Sequence, residues 1–134
     1  MPERVYTRPL LDKLGVAPGA RVALVNLDEP WFRELLAERT PDVRIGRAAA
    51  DSDLIFLGAN SQKELARLAT LRPKIRPNGA IWVVSRKGKA ATIRDLDVIE
   101  ATLAANLVDN KVVSFSETQT ALRAVIRVRD RPTS

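Results

Sequence analysis

Residues 21–39 read RVALVNLDEPWFRELLAER. The first seven, Arg21 to Leu27, form a short and mostly apolar run with two valines, the pattern of a strand buried on both faces. Asp28 is placed to cap a following helix, and Pro30 suits its first turn. Leu35 and Leu36 then face the sheet, the helix runs to about Arg39, and Pro41 ends the unit. A buried strand that feeds directly into a helix begins an alternating α/β fold.

The alternation continues on both sides of this stretch. Upstream, Leu10, Leu11 and Leu14 predict a short helix over Thr7–Val16, with Gly15 as its stop and Pro18-Gly19 as a turn. Downstream, Asp42–Gly46 is a brief second strand and Asp53–Gly58 (DLIFLG) a third. Ser61 with Glu64 three residues on is a capping-box pattern, which starts a helix with Leu65, Leu68 and Ile75 on its inner face and a break at Pro73. Asn78-Gly79 turns the chain into a fourth buried strand, Ala80–Ser85 (AIWVVS). Thr92 or Asp95 starts a last helix to about Leu107, with Leu96, Ile99, Leu103 and Leu107 as its stripe. Lys111–Ser116 and Ala121–Arg129 form a closing antiparallel hairpin, whose last strand alternates as if one face met solvent. With right-handed crossovers the first strands make a doubly wound, mostly parallel sheet of about six strands within one domain spanning residues 1–134.

The 134 residues include neither cysteine nor histidine. That removes disulfides, a thiolate nucleophile, an imidazole base and the usual ligands of zinc, so no metal site and no catalytic residue is assigned. No apolar run approaches the roughly 20 residues that span a bilayer, and residues 1–10 carry charges and prolines, so a cytoplasmic protein without a membrane partner is expected. The net charge of +6 is unevenly spread. Nine basic residues against Glu64 alone lie between Lys63 and Arg94, whereas the rest of the chain is slightly acidic.

Pro77-Asn78-Gly79-Ala80 leading into Ile81–Val84 resembles the turn into a central strand of the class I methyltransferase fold. Ala104-Ala105-Asn106-Leu107-Val108 ahead of Lys111 resembles that fold's last helix entering its hairpin. The resemblance implies a Rossmann-like, methyltransferase-like sheet, shortened by one strand-helix unit. A second resemblance runs through Thr7-Arg8-Pro9-Leu10, Lys13-Leu14-Gly15-Val16, Pro18-Gly19, Arg21 to Asn26 with Pro30, Leu107-Val108-Asp109 with Lys111-Val112, Thr118, and Leu122-Arg123. In these words the chain is similar to a family of short bacterial proteins common in actinobacteria, domain of unknown function three-zero-five-two. That family implies no activity and no site residues.

An enzyme of the methyltransferase or dehydrogenase kind needs glycines after its first strand, so that the cofactor can approach the backbone. Here the strand runs into Asn26-Leu27-Asp28-Glu29-Pro30-Trp31, and no glycine lies between Gly19 and Gly46. The second strand ends Arg44-Ile45-Gly46-Arg47 where an acid for ribose hydroxyls is needed. No cofactor is therefore expected. Asp28 and Glu29 read as a general base or cation ligand, or as an N-cap and a first-turn acid drawn to the helix dipole; the second reading is preferred. Asn26, Asn60, Ser61, Ser85, Arg86, Lys87 and Lys89 fall at the same carboxyl edge of the sheet, where a helix N-terminus and cations would suit a phosphate or another anion. Lys63, Arg67 and Lys74 share a helix face that would suit a polyanion. Exposed aromatics for stacking on bases are missing, since Trp82 sits in a buried strand and Trp31 reads as core or groove lining.

Three functions are thus open. The first is a non-catalytic binding or interaction domain on a degenerate methyltransferase-like scaffold. The second is an enzyme or sensor for an anionic small molecule, such as a nucleotide or phosphate, at the carboxyl edge. The third is nonspecific nucleic-acid association through residues 63–94.

Overall fold

Every strand among the described residues joins one six-stranded sheet. The computed structural model describes residues 9–132, so Thr7 and Arg8 of the first expected helix lie outside the described residues. In chain order the strands are β1 (Val22–Val25), β2 (Val43–Ile45), β3 (Ser52–Gly58), β4 (Ile75–Arg86), β5 (Val108–Ser114) and β6 (Gln119–Val125). The helices are α1 (Leu10–Lys13), α2 (Pro30–Ala37), α3 (Gln62–Leu65), α4 (Arg67–Leu71) and α5 (Asp95–Ala104). The spatial order is β2-β1-β3-β4-β6-β5. β2, β1, β3 and β4 run parallel, and β6 returns antiparallel between β4 and β5.

The two faces are covered by different helices. Leu11 and Leu14 of the α1 segment and Phe32 and Leu36 of α2 pack with Trp82, Phe56 and Phe115 on one face. Leu65, Leu68 and Leu71 of α3 and α4 and Val98 of α5 pack with Ile55, Leu57 and Ile81 on the other. A parallel sheet covered on both faces is the doubly wound arrangement read from the sequence. On the first face Phe32 meets Phe56 and Phe115 edge-on, with centroids 5.0 and 4.7 Å apart. Trp82 is fully buried, and its indole N–H donates to the Leu14 carbonyl at 3.0 Å. α1 stops in a Schellman motif on Gly15, with the Val16 N–H donating to the Leu11 carbonyl at 2.9 Å.

Four expectations are corrected. Ile75 is not on the inner face of a helix: Pro73 converts the helix end into a 3₁₀ turn over Arg72–Lys74, and Ile75 opens β4. Asn78-Gly79 is not a free turn either, because residues 76–79 form a bulged entry into β4. Gly79 lies there so close to the Ser52 and Asp53 carbonyls that a side chain would crowd them. On α5 the buried residues are Val98 and Thr102, while Leu96 and Leu103 are about half exposed. Leu107 is buried because the chain reverses at Asn106 in a second Schellman motif, which sets it apart from the helix periodicity. Finally, both faces of β6 are covered: Ala121 and Val125 are buried in one core cluster and Leu122 and Ala124 in the other. Only Arg123 departs from that apolar run, and its guanidinium is pushed to lower pKa by burial and then by Arg131.

Candidate functional site

The parallel strands β1, β3 and β4 end together, and the chain leaves β1 at Asn26 with φ of +56°. Asparagine is one of the few side chains that accept this left-handed geometry. Its neighbour Gly58, at the end of β3, lies so close that a methyl group there would collide with the Asn26 carbonyl. The Asn26 amide closes over this contact. Its nitrogen donates to the Gly58 carbonyl at 2.7 Å and to Glu64 Oε2 at 2.8 Å.

Glu64 joins this knot to the helix start. Its Oε1 accepts from the Asn60 N–H at 2.7 Å, while its own N–H donates to Ser61 Oγ at 3.2 Å. The capping-box pattern is thus realised with the carboxylate reaching one residue further back than usual. Asn60 is occupied as well: its Oδ1 accepts from the Arg86 N–H at 2.8 Å and its carbonyl from Thr92 Oγ1 at 2.5 Å. The bond from the Asn60 N–H, then that from Asn26, holds the Glu64 carboxyl below the usual carboxylate range.

Two shallow clefts flank the knot. One, of about 360 Å³, is lined by Asn26, Asp28, Glu29, Glu64 and Arg86 among others. It holds three carboxylates against one guanidinium, so it does not favour an anion. The other, of about 630 Å³, has Asn60, Ser61, Lys63, Glu64, Arg67, Arg86 and Thr92 on its wall.

The sequence-predicted residues therefore separate into groups. Asn26, Asn60, Ser61 and Arg86 come together at the second cleft, joined by Lys63 and Arg67. Asp28 and Glu29 line the first cleft only, and Asp28 is not the cap of α2. The N-cap position is Glu29, whose carboxylate accepts from the Trp31 indole at 3.1 Å, whereas Asp28 pairs loosely with Arg33 at 3.7 Å. Ser85 is buried inside β4 opposite Thr120. Lys87 turns toward the hairpin, its Nζ donating to Ser114 Oγ at 2.7 Å, and Lys89 sits exposed on the 3₁₀ turn Gly88–Ala90. Neither lysine lines the clefts. Lys74 lies on the far side of α4, on a separate groove that also takes in Arg67. Glu64, read in the sequence only as half of a capping box, is the residue that ties β1, β3 and α3 together. No local spacing announces this, because Asn26 is distant in sequence.

The fold has close relatives in shape. A SAM-dependent methyltransferase from Aquifex aeolicus superposes with a TM-score of 0.68 over 86% of each chain, at 12% identity. The chain has the fold of the SAM-dependent methyltransferases. Magnesium protoporphyrin IX methyltransferase from Synechocystis, solved with bound SAM, matches over 87% of this chain and 74% of its own at a TM-score of 0.64 and 10% identity. Precorrin-6y C5,15-methyltransferase from Geobacter metallireducens matches over 87% and 85% at a TM-score of 0.62 and 10% identity. Neither a family model nor a curated protein matches the sequence. Among the described residues no helix is long and apolar enough to cross a membrane.

Proposed function

We propose that the chain is a non-catalytic cytoplasmic binding domain on a methyltransferase-like scaffold that has given up its cofactor cleft. The observation that carries this reading is the Asn26 amide bonded at once to Gly58 and Glu64, across the mouth where β1 and β3 end. In this fold a ligand needs the carboxyl ends of these strands open and the backbone approachable. Here the approach is filled by Asn26, and the nearest free space is walled by Asp28, Glu29 and Glu64. Membership of the bacterial family of unknown function three-zero-five-two is part of the same proposal and rests on the sequence words alone.

The test is calorimetric titration of the protein with S-adenosylmethionine and with S-adenosylhomocysteine. No saturable heat is expected from either. Micromolar binding of either one, displaced by the other, would sink the reading.

A second reading draws support from the larger cleft, where Lys63, Arg67 and Arg86 outnumber Glu64. An anionic small molecule there would make the chain a sensor or an enzyme. Arg86→Gln would then weaken any anion bound at that cleft, and Lys87→Ala with Lys89→Ala would do so only if the ligand reaches the adjoining loop.

A further inference from the structure

β2 is the outermost strand on its side of the sheet, and its α4 face is open beside the helix. A groove of about 680 Å³ fills that place, between β2 and α4. Its floor is Val25 and Leu71, and its near wall is the alanine run 48–50, whose short side chains leave it open. Four cations line it: Arg44 and Arg47 from the β2 side, Arg67 and Lys74 from the helix side. No carboxylate lines it.

The helix-side pair is set by periodicity. Arg67, Thr70, Leu71 and Lys74 are spaced by three and four residues, so they share one face as α4 passes into its 3₁₀ turn. The strand-side pair is set by pairing. Arg44 stands opposite Ala23 on the face that α4 covers, and Arg47 follows the left-handed Gly46. Arg44 has a partner in Asp42 at 3.6 Å. The side chains of Arg47, Arg67 and Lys74 make no hydrogen bond or ion pair among the described residues. Four arginines outside the groove meet carboxylates: Arg21 with Asp42, Arg39 with Asp12, Arg76 with Asp53 and Arg94 with Asp97.

We propose that this groove binds a compact oligophosphate, recognised through its phosphates. The size matches small-ligand sites, which run to roughly 300–1,000 Å³. Three uncommitted cations facing one another from two elements, with no acid between them, are matched by several negative charges on one small molecule. No aromatic residue lines the groove, so nothing is there for a base to stack on. The cations also converge on one concavity instead of tracking along a flat face, as a nucleic-acid backbone would require. The groove shares only Arg67 with the larger carboxyl-edge cleft, and it stands whether or not the carboxyl edge is closed to S-adenosylmethionine.

The test uses inorganic tripolyphosphate as the probe, followed by calorimetry on the full chain. Tripolyphosphate should bind at one site, more weakly as salt is added. ATP should bind within about threefold of it and AMP much more weakly, because affinity follows phosphate charge. Arg47→Gln with Lys74→Gln, which line this groove and not the carboxyl-edge cleft, should weaken tripolyphosphate about tenfold or more, while Lys13→Gln, on the opposite face, should leave it unchanged. Thermal unfolding of each variant checks that the fold is intact. Absence of binding, equal loss in Lys13→Gln, or AMP binding as well as ATP would each overturn the proposal. So would a single-stranded oligonucleotide that outcompetes tripolyphosphate at equal phosphate concentration, and that result would assign the surface to nucleic acid.

Discussion

Two polar regions lie on either side of α3 and α4, and they use their side chains in opposite ways. At the carboxyl edge, Asn26, Asn60, Ser61 and Glu64 all bond to the chain itself. In the groove beside β2, Arg47, Arg67 and Lys74 bond to nothing among the described residues. The first region lies at the carboxyl ends of the parallel strands, where open α/β sheets bind their ligands, and its polar groups hold strands together. The second has polar groups in surplus of any structural need. A satisfied network stabilises and specifies a fold, whereas unpaired like charges cost stability and persist where they serve something else. Substitutions in the two regions should therefore differ in size and in sign.

The largest effect is expected at Gly58. A methyl there meets the Asn26 carbonyl, and neither β1 nor β3 can move aside because both are interior strands. Gly58→Ala should destabilise the protein by about 2–3 kcal/mol, the upper part of the roughly 1–3 kcal/mol range for forcing atoms into a packed core. Chemical denaturation would measure it. A loss below about 0.5 kcal/mol, typical of an unconstrained surface site, would mean that the carboxyl edge is looser than its hydrogen bonds imply.

Much of this architecture was legible in the sequence, and the reasons are local. RVALVNL, DLIFLG and AIWVVS are short apolar runs bounded by turn residues, and such runs make buried strands wherever they sit. The Schellman stop at Gly15 and the Ser61–Glu64 pattern are also set within a few residues. The misread elements depend on partners far along the chain. Leu96 and Leu103 form a good helical stripe, yet α5 buries Val98 in the cluster built by Ile55, Ile81, Leu65 and Leu68, and leaves Leu96 and Leu103 about half exposed. The alternation in β6 suggests a face turned to solvent, yet Ala121, Leu122, Ala124 and Val125 are all buried by elements from both sides of the sheet. The same holds for the sites. Asn26, Asn60 and Arg86 converge as placement at strand ends predicts, but Lys87 turns away to Ser114. Arg44 and Arg47 join Arg67 and Lys74 only because β2 is the outer strand.

The next effect in size tests the closed network directly and depends on pH. Glu64→Ala removes the acceptor of the Asn60 N–H and of the Asn26 amide, and should cost about 1–2 kcal/mol near neutral pH as bonds to a charged group are lost. The Glu64 carboxyl is held below its ordinary value in the folded chain. Its stabilisation is therefore complete above the unfolded carboxylate range, near pH 4.3, and fades as pH falls through the lower folded value. The wild-type chain should lose its advantage over Glu64→Ala across that acid window. A gap that stays constant down to about pH 2, below the ordinary carboxylate range, would show that the carboxylate contributes through packing and not through its charge.

The smallest effect is expected in the groove, and its sign is the informative part. Two like charges about 10 Å apart in water repel by a few tenths of a kcal/mol, and salt screens even that. Arg47→Gln or Arg67→Gln breaks no bond among the described residues, so each should stabilise the free protein slightly, by up to about 0.5 kcal/mol at low salt. The gain should vanish in high salt, and tripolyphosphate should reverse the order, because a ligand stabilises only the chain that binds it. Thermal melts at two salt concentrations, with and without tripolyphosphate, separate these cases. If both substitutions destabilised the free protein at every salt concentration, the arginines would be structural, and the contrast between a self-satisfied edge and a surplus-charged groove would fail.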